Sequence, residues 1–237
     1  MGPDIIDRAI DPNQYDLDDL EWEKESQADS SRIAFFREYL KEDIQQWKGK
    51  RVFEIGAGNG WLLQEAQNAG ALEVCGIEPS ATGVTLAKEA HPDISIEQKA
   101  FEEYVPEAHY FDVVVSVMVF SHIENLESAF AKVRALLSEK GEAILIVPDF
   151  EYFKQQRKNY VVSVQDIDTH QYVVQITRPT GTIADIVRAN DVYAEEAKKQ
   201  GLMLTETVAM VPLNEDSAGP APGASAITQL LRFTVHK

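Results

Sequence analysis

The chain has 237 residues, enough to bury one large core in a single domain. Its formal net charge of −17 argues against nucleic acid or an anionic membrane as a partner, because binding a polyphosphate requires clustered Lys and Arg. A single cysteine, scattered histidines and the lack of a signal peptide or long apolar run predict a cytoplasmic protein without an internal disulfide, a metal site or a membrane span.

The first thirty residues are acidic and lack a regular spacing of apolar side chains. Their composition leaves open a partly ordered arm and a disordered tail. Residues 31–47 then repeat apolar side chains at helical spacing, which predicts a helix that packs on a sheet. The repeat consists of Ile33, Phe36, Tyr39, Leu40, Ile44 and Trp47.

Residues 51–61 have the pattern of a buried strand that leads into a turn with three glycines and then into a helix. The glycines alternate along the turn, at Gly56, Gly58 and Gly60. Trp61 occupies the place of the third glycine of a dinucleotide-binding turn, where an indole obstructs the close packing of helix on strand. An NAD site is therefore disfavoured. Glu54, at the end of the strand, would repel a pyrophosphate but suits a ligand with an ammonium or sulfonium group.

A second acidic residue follows at the end of the next predicted strand. Glu78 lies 22 positions after Gly56 (78 − 56), close to the roughly 20 expected for a carboxylate that accepts hydrogen bonds from ribose hydroxyl groups. The alternative is a solvated turn glutamate before Pro79. The position at the end of the second strand of a βαβ unit favours the ribose role.

The stretch Glu-Ile-Gly-Ala-Gly-Asn-Gly, residues 54–60, resembles the first motif of the class I S-adenosylmethionine-dependent methyltransferases, in particular those of the small-molecule type. The resemblance implies S-adenosyl-L-methionine as the cofactor. It assigns the cofactor contacts in this part of the chain to Glu54, Gly56, Ala57, Gly58, Gly60, Glu78 and Pro79. In this family an N-terminal segment often folds over the cofactor, and Tyr15 is the aromatic candidate there.

Strands and helices alternate from residue 50 onward, which predicts a parallel sheet with helices on both faces. The predicted strands are 51–55, 73–77, 94–99, 111–117, 143–147, 202–210 and 230–235. The predicted helices are 61–69, 81–90 behind a Ser80 cap, 126–138 with Gly141 beyond its end, and 190–200 closed by Gly201. The pattern matches an α/β fold with a doubly wound, seven-stranded, mostly parallel, Rossmann-like sheet.

Two further segments resemble later motifs of the same family. Residues 111–123 match the fourth-strand motif, which implies cofactor contacts from Ser116 and Val117 and places His122 near the transferred methyl group. The alternative for His122 is a histidine bonded to the backbone at a helix start. Residues 98–103 match the third motif, but Ala100 stands where the family usually has an aspartate for the adenine amino group. Either Phe101, through its backbone and ring, or Glu102 would then contact the adenine in place of that aspartate.

An insertion follows the fifth strand, with three short strands predicted at 160–165, 171–177 and 182–187. It would serve as a lid over the cofactor cleft or as a dimer surface, and an excursion without substrate contact is the alternative. The chain then divides into residues 1–47, an arm and a cofactor-covering helix; 48–149, the cofactor-binding core; 150–189, the lid or substrate cap; and 190–237, a helix and a closing strand pair of the same core.

These features together predict methyl transfer from S-adenosylmethionine to an oxygen or nitrogen atom of a small-molecule acceptor, by in-line displacement in a monomer or homodimer. A general base is needed only for a hydroxyl or a protonated amine, and His122 and His170 are the candidates. Asp149, after the fifth strand, is a candidate for holding a cationic substrate. Two alternatives remain: a catalytically silent cofactor-binding subunit and another nucleotide-binding α/β enzyme.

Overall fold

The computed structural model describes residues 30–106, 110–156, 161–178, 181–213 and 224–236. The helices in these ranges are α1 (Ser30–Gln46), α2 (Trp61–Asn68), α3 (Ala81–Ala90), α4 (Leu126–Leu136) and α5 (Asn190–Lys199). The strands of the main sheet are β1 (Arg51–Ile55), β2 (Glu73–Glu78), β3 (Ser95–Gln98), β4 (Phe111–Val117), β5 (Leu137–Pro148), β9 (Leu202–Met210) and β10 (Thr228–Val235). Three further strands, β6 (Val161–Asp166), β7 (Gln171–Arg178) and β8 (Gly181–Arg188), form a second sheet.

The main sheet has seven strands in the order β3-β2-β1-β4-β5-β10-β9. Strands β1 to β5 pair in parallel, whereas β10 runs antiparallel between β5 and β9. The chain builds outward from β1 to β3 and then crosses to β4 on the other side of β1. Such a reversal of strand order opens a crevice at the carboxyl ends of β1 and β4. The predicted fold class is confirmed.

The central strands are buried on both faces because apolar side chains follow one another without interruption. In β5, Ala143, Leu145 and Val147 belong to one hydrophobic cluster, with Phe130 of α4 and Tyr193 of α5. The intervening Ile144 and Ile146 belong to a second cluster, which the helices α1 and α2 cover through Leu40 and Leu63, together with Trp47 just after α1. The period-two alternation of a strand therefore divides one apolar run between two helical layers.

Two adjoining predicted boundaries are wrong: the helix end at 138 and the start of the fifth strand at 143. Helix α4 ends at Leu136 instead of reaching 138, and β5 begins at the next residue, Leu137. Gly141 is therefore a strand residue and does not follow a helix end. A Cβ atom there would lie 3.0 Å from the carbonyl oxygen of Phe111 and 2.9 Å from Leu137 Cδ2. Glycine at this position permits a close approach of two strands.

The three strands predicted in the insertion are present and form an antiparallel sheet in the order β6-β7-β8. One face of this small sheet is apolar and packs on Phe153, with Met118, Phe150 and Tyr152 at its margin. Its buried residues are Val162, Tyr172, Val174, Ile176 and Val187. The small sheet therefore has a core of its own that adjoins the end of β4.

Arg188, the last residue of β8, attaches the insertion to the loop between β4 and α4, residues 118–125. Its buried guanidinium donates hydrogen bonds to the carbonyl oxygens of Phe120 (3.1 Å), Ile123 (2.8 Å) and Glu124 (3.2 Å). The backbone N–H of Ile186 donates to the carbonyl oxygen of Ser121 at 2.8 Å. Bonds from a buried cation to several carbonyls are costly to lose, so the loop and the insertion form one unit.

Candidate active site

The glycine turn between β1 and α2 has the backbone conformation that its sequence suggests. Gly56, Gly58 and Gly60 have φ angles of 73°, 52° and 78°, in the left-handed region that glycine adopts without strain. The backbone N–H groups of Gly56 and Ala57 both donate to the carbonyl oxygen of Ile77, each at 2.9 Å. A Cβ atom on Gly56 would overlap the side chain of Val119. The turn therefore has no space for side chains at its start.

Glu78 holds this turn from the neighbouring strand. Its Oε2 accepts a hydrogen bond from the backbone N–H of Gly58 at 2.8 Å, and its Oε1 accepts one from the N–H of Ser80 at 2.9 Å. The residue is 9% exposed and lines a cavity that begins at the turn. These contacts do not fit the alternative of a solvated turn glutamate. The carboxylate lies where a ligand bound on the turn would meet it.

Glu54 is a second carboxyl group in the same cavity, and it is 2% exposed. Its Oε2 atom has no hydrogen-bond partner among the residues that the structure describes. Burial, and next the charge of Glu78, raise the pKa of Glu54 well above its usual value. A buried carboxyl oxygen without a partner is energetically costly, and a cationic or hydrogen-donating ligand would remove that cost.

The cavity extends from the glycine turn along the carboxyl ends of the strands to the β4–α4 loop. The predicted site residues that line it are Glu54, Gly56, Ala57, Gly58, Glu78, Pro79, Phe101, Val117 and His122. Those that do not line it are Gly60, Ala100, Ser116 and His170. Tyr15 lies outside the described residues. Most of the residues predicted from the sequence therefore lie around one crevice.

Two of the predicted contacts support the site from behind. Gly60 precedes α2, and its N–H donates to the carbonyl oxygen of Ala57 at 2.8 Å, which closes the turn. Ser116 is buried within β4, and its Oγ donates to the carbonyl oxygen of Ile55 at 3.2 Å. The Ser116 hydroxyl therefore links β4 to β1 by a hydrogen bond.

On the side of the third motif, Lys132 of α4 holds the segment that follows β3. Its Nζ donates to the carbonyl oxygens of Phe101 at 2.8 Å and Glu102 at 2.6 Å, and it lies 5.6 Å from the centroid of the Phe101 ring. Burial lowers the pKa of Lys132. Because Lys132 already occupies the Phe101 carbonyl, the ring and the remaining backbone are the groups that this segment can offer to a ligand.

Sequence reasoning assigned a cofactor-covering helix to residues 1–47 but did not identify which residues of α1 line the cavity. Arg32, Ile33 and Phe36 line the cavity from this helix. The apolar repeat of residues 31–47 correctly indicated a packed helix. However, Ile33 and Phe36 belong to the same stripe as the core residues, so no sequence signal separated the two groups.

Met118, just after β4, was missed as well. It lines the cavity and has a φ angle of 61°, a conformation that a side chain disfavours by roughly 1 to 2 kcal/mol. Its N–H donates to the carbonyl oxygen of Ile146 at 2.8 Å, which helps to hold it in place. Backbone strain of this kind is concentrated at functional sites.

Only one of the two candidate bases lies at the cavity. His122 lines it, and its Nδ1 is 3.1 Å from Oδ1 of Asp185, a residue of β8, with side chains only 11% and 5% exposed. The His170 side chain is 54% exposed and its Nδ1 lies 2.8 Å from Oδ2 of Asp191 in α5. The structure therefore brings His122, and not His170, to the crevice.

Asp149, a candidate for a cationic substrate, is occupied by structural contacts. Its Oδ1 accepts hydrogen bonds from the N–H groups of Glu151 and Tyr152, at 3.1 and 2.8 Å, and its Oδ2 accepts one from Gln229 at 2.7 Å. Within the described residues, no group of three or more His, Cys, Asp or Glu could hold a metal ion. No helix among those residues is long and apolar enough to span a membrane.

Comparisons with known proteins agree with this geometry. A family model described as a methyltransferase domain matches residues 24–193. The ubiquinone biosynthesis O-methyltransferase of Rhodopseudomonas palustris (strain TIE-1) is 32% identical over 121 residues, 46% of this chain and 47% of that protein. The tRNA U34 carboxymethyltransferase of Pseudoalteromonas translucida (strain TAC 125) is 32% identical over 110 residues, 45% of this chain and 34% of that protein. The chain spans about half the length, or less, of these curated relatives.

The fold has close counterparts among solved structures. A Listeria monocytogenes protein, provisionally assigned as an S-adenosylmethionine-dependent methyltransferase, has a TM-score of 0.73 at 21% identity, over 88% of this chain and all of that one. The family match covers well over half of the chain. The resemblance to class I methyltransferases is confirmed in family and in fold: this chain belongs to the methyltransferase domain family.

Proposed function

We propose that this protein transfers a methyl group from S-adenosylmethionine to an oxygen or nitrogen atom of a small-molecule acceptor, by in-line displacement. One observation carries the proposal. A single cavity begins at a glycine turn held by Glu78, contains the buried Glu54 carboxyl group, and ends at His122. Membership of the methyltransferase domain family supports the same reaction class.

The residues present fit this cofactor. The bare backbone of the glycine turn allows a ligand to approach closely, and a Cβ atom on Gly56 would meet Val119. The Glu54 oxygen that has no hydrogen-bond partner within the described ranges suits an ammonium or sulfonium group, and Glu78 would accept hydrogen bonds from ribose hydroxyl groups. We place the adenine beside Phe101 and the methionine portion beside Val117, with Tyr15 as a further contact from the N-terminal arm.

The chain has a limited chemical task. When bound, S-adenosylmethionine supplies a methyl group that its sulfonium centre has already activated. The walls of the cavity then align the acceptor atom with the methyl carbon, and alignment of this kind is worth up to about 7 to 11 kcal/mol. Apolar side chains keep water from the crevice, among them Ile33, Phe36, Val119 and Ile123. His122 is the residue we assign as base.

A small molecule is the acceptor that the charge of the chain favours. At −17, the protein would repel a nucleic acid or an anionic lipid surface. The wall near His122 is formed mainly by apolar side chains, which suits an acceptor with an apolar body and one reactive polar group. We place this reaction in the cytoplasm, in a monomer or homodimer.

Two measurements on the wild-type protein test the proposal. Calorimetry should show binding of S-adenosylhomocysteine and no binding of NAD. Release of S-adenosylhomocysteine should then be followed across a panel of phenols, aliphatic alcohols and amines, and at least one acceptor should be methylated. Binding of NAD would indicate another nucleotide-binding enzyme. Tight S-adenosylhomocysteine binding without turnover on any acceptor would indicate a catalytically silent subunit.

Glu78→Ala is expected to weaken S-adenosylhomocysteine binding by about 2 to 3 kcal/mol, roughly 30- to 150-fold, because charge-assisted hydrogen bonds are lost. Calorimetry measures the change. An analogue without ribose hydroxyl groups separates the ribose role from support of the glycine turn. The wild-type protein should bind this analogue more weakly than it binds S-adenosylhomocysteine. The Glu78→Ala protein should bind the two compounds with equal affinity. If the affinity for S-adenosylhomocysteine changes by less than twofold, Glu78 is only a turn residue and does not bind the ribose.

Glu54→Gln is expected to stabilise the ligand-free protein and to weaken cofactor binding. The pKa of Glu54 is raised in the folded state, so above its usual value of 4.5 the unfolded chain releases the proton before the folded one does. Wild-type stability therefore falls as pH rises through this range, and glutamine removes that fall. Without the carboxylate, S-adenosylmethionine affinity should drop about tenfold or more.

Thermal melting between pH 4.5 and pH 8 and calorimetry at pH 8 measure the two effects of Glu54→Gln. The stability gain should increase with pH. Glu139→Gln is the matched control, because the Glu139 side chain is 68% exposed and pairs with Arg134, and neither residue lines the cavity. It should change neither quantity appreciably. A Glu54→Gln protein with wild-type affinity would show that this carboxyl group does not meet the ligand.

A further inference from the structure

The His122 imidazole and the Asp185 carboxylate come from different sheets. His122 lies on the β4–α4 loop at the end of the main sheet, and Asp185 lies in β8 of the insertion. Their side chains meet with Nδ1 3.1 Å from Oδ1, and both are largely buried. An aspartate in the middle of a β-strand is uncommon, and its burial requires a partner.

The surrounding residues hold the His122 ring and the Asp185 carboxylate in a fixed relative position. On β8, Asp185 shares the apolar face of the small sheet with Ile183 and Val187, because side chains alternate along a strand. The next residue, Ile186, donates its N–H to the carbonyl oxygen of Ser121, the residue before His122. Backbone pairing beside both members of the pair therefore fixes how the carboxylate approaches the ring.

We propose that Asp185 is a positioning residue for His122, supplied by the insertion to complete the base of the methyl-transfer site. Asp185 accepts the Nδ1–H hydrogen bond, so the ring is held in the tautomer whose Nε2 can accept a proton. The proposal rests on the proposed function, and it defines the acceptor more closely. A hydroxyl acceptor must lose a proton during methylation, whereas a neutral amine can react through its lone pair without a base.

The proton and electron balance of the step is simple. The acceptor oxygen forms its bond to the methyl carbon as its proton passes to Nε2 of His122. The electron pair of the broken carbon–sulfur bond stays on sulfur. The ring then carries a positive charge, which the adjacent Asp185 carboxylate stabilises because both side chains are largely buried. Release of the proton to solvent restores the neutral ring.

The tautomer can be measured without any acceptor. In the ¹⁵N-histidine-labelled protein with S-adenosylhomocysteine, long-range ¹H–¹⁵N spectra distinguish a protonated Nδ1 from a protonated Nε2. His122→Asn identifies the resonances of His122. In wild type the proton of neutral His122 should reside on Nδ1. A proton on Nε2 would overturn the proposal, and this result needs no variant of Asp185 to fold.

Kinetics of Asp185→Asn then test the consequence for catalysis. With a hydroxyl acceptor from the panel, kcat should fall at least tenfold, while KM and the affinity for S-adenosylhomocysteine stay within about twofold, because the tautomer is no longer fixed. Asp191→Asn is the matched control, since it removes the carboxylate from the exposed His170 pair, and it should leave kcat unchanged. A folded Asp185→Asn protein with wild-type kcat would overturn the positioning role.

The two proposals fail in different ways. If wild type methylates a hydroxyl acceptor and Asp185→Asn does so equally well, the role of Asp185 is wrong while the proposed function stands. If wild type methylates nothing, the proposed function fails. A neutral His122 with its proton on Nδ1 would then still support the hydrogen bond to Asp185 as a structural feature, but the positioning role would be overturned with the reaction.

Discussion

Gly58→Val is expected to abolish S-adenosylhomocysteine binding. Gly58 has a φ angle of 52°, its N–H donates to Glu78 Oε2 at 2.8 Å, and it lines the cavity, where under the proposed function its backbone meets the ligand. A β-branched side chain resists this conformation and would project into the space between backbone and ligand. Calorimetry with S-adenosylhomocysteine, on protein shown to be folded by circular dichroism, measures the effect.

Gly49→Val separates the effect of strain from the effect of the site. Gly49 has a φ angle of 75°, similarly left-handed, and a Cβ atom there would have nothing within 4 Å. Gly49→Val and Gly58→Val should each lose stability by an amount of order 1 to 3 kcal/mol, because both force a side chain into a left-handed backbone. Gly49→Val should nevertheless keep its affinity for S-adenosylhomocysteine. If Gly58→Val binds as tightly as wild type, the glycine turn is not the cofactor site.

His122→Asn is expected to lower turnover at least about tenfold and as much as 10⁴-fold, the range that a positioned base contributes. Affinity for S-adenosylhomocysteine should stay nearly unchanged, because a base acts on the transition state more than on the bound cofactor. Steady-state kinetics on the best acceptor of the panel, together with calorimetry, measure both quantities.

His236→Asn provides the control for His122→Asn. His236 is exposed after the last strand, where its backbone N–H donates to the carbonyl oxygen of Gly201, and a side-chain change there should leave turnover unaltered. If His122→Asn instead retains turnover and loses cofactor affinity, His122 contacts the cofactor, and the acceptor uses another base or none.

The parts of the structure that were predictable from sequence depend on local pattern. The glycine turn, the helix cap at Ser80 and most strand limits follow from residues close together in the chain, and each is found within a few residues of its predicted place. Glu78 was predictable because the length of a βαβ unit fixes its distance from the turn. The predicted end of α4 was wrong because an apolar residue such as Leu137 fits the pattern of a helix and that of a strand equally well.

The parts that were not predictable depend on how distant segments dock. Asp185 lies 63 positions after His122 (185 − 122), and no spacing rule links a strand of an insertion to a loop of the main sheet. The cavity-lining role of Arg32 likewise follows from where α1 rests. Nothing in the identity of Met118 indicates its left-handed backbone, which arises where β4 ends against the neighbouring strand.

The three hydrogen bonds from Arg188 to loop carbonyls determine how the insertion of this protein can be re-engineered and how it can diverge. Exchange of residues 150–189 for the insertion of a relative would leave the loop carbonyls without their donor and would displace the loop that carries His122. New acceptor specificity is therefore expected to arise by substitution at cavity-lining positions outside the insertion, such as Ile33 and Phe36, with β8 retained. The insertion and the β4–α4 loop should therefore exchange successfully only when they are moved together, as a single cassette.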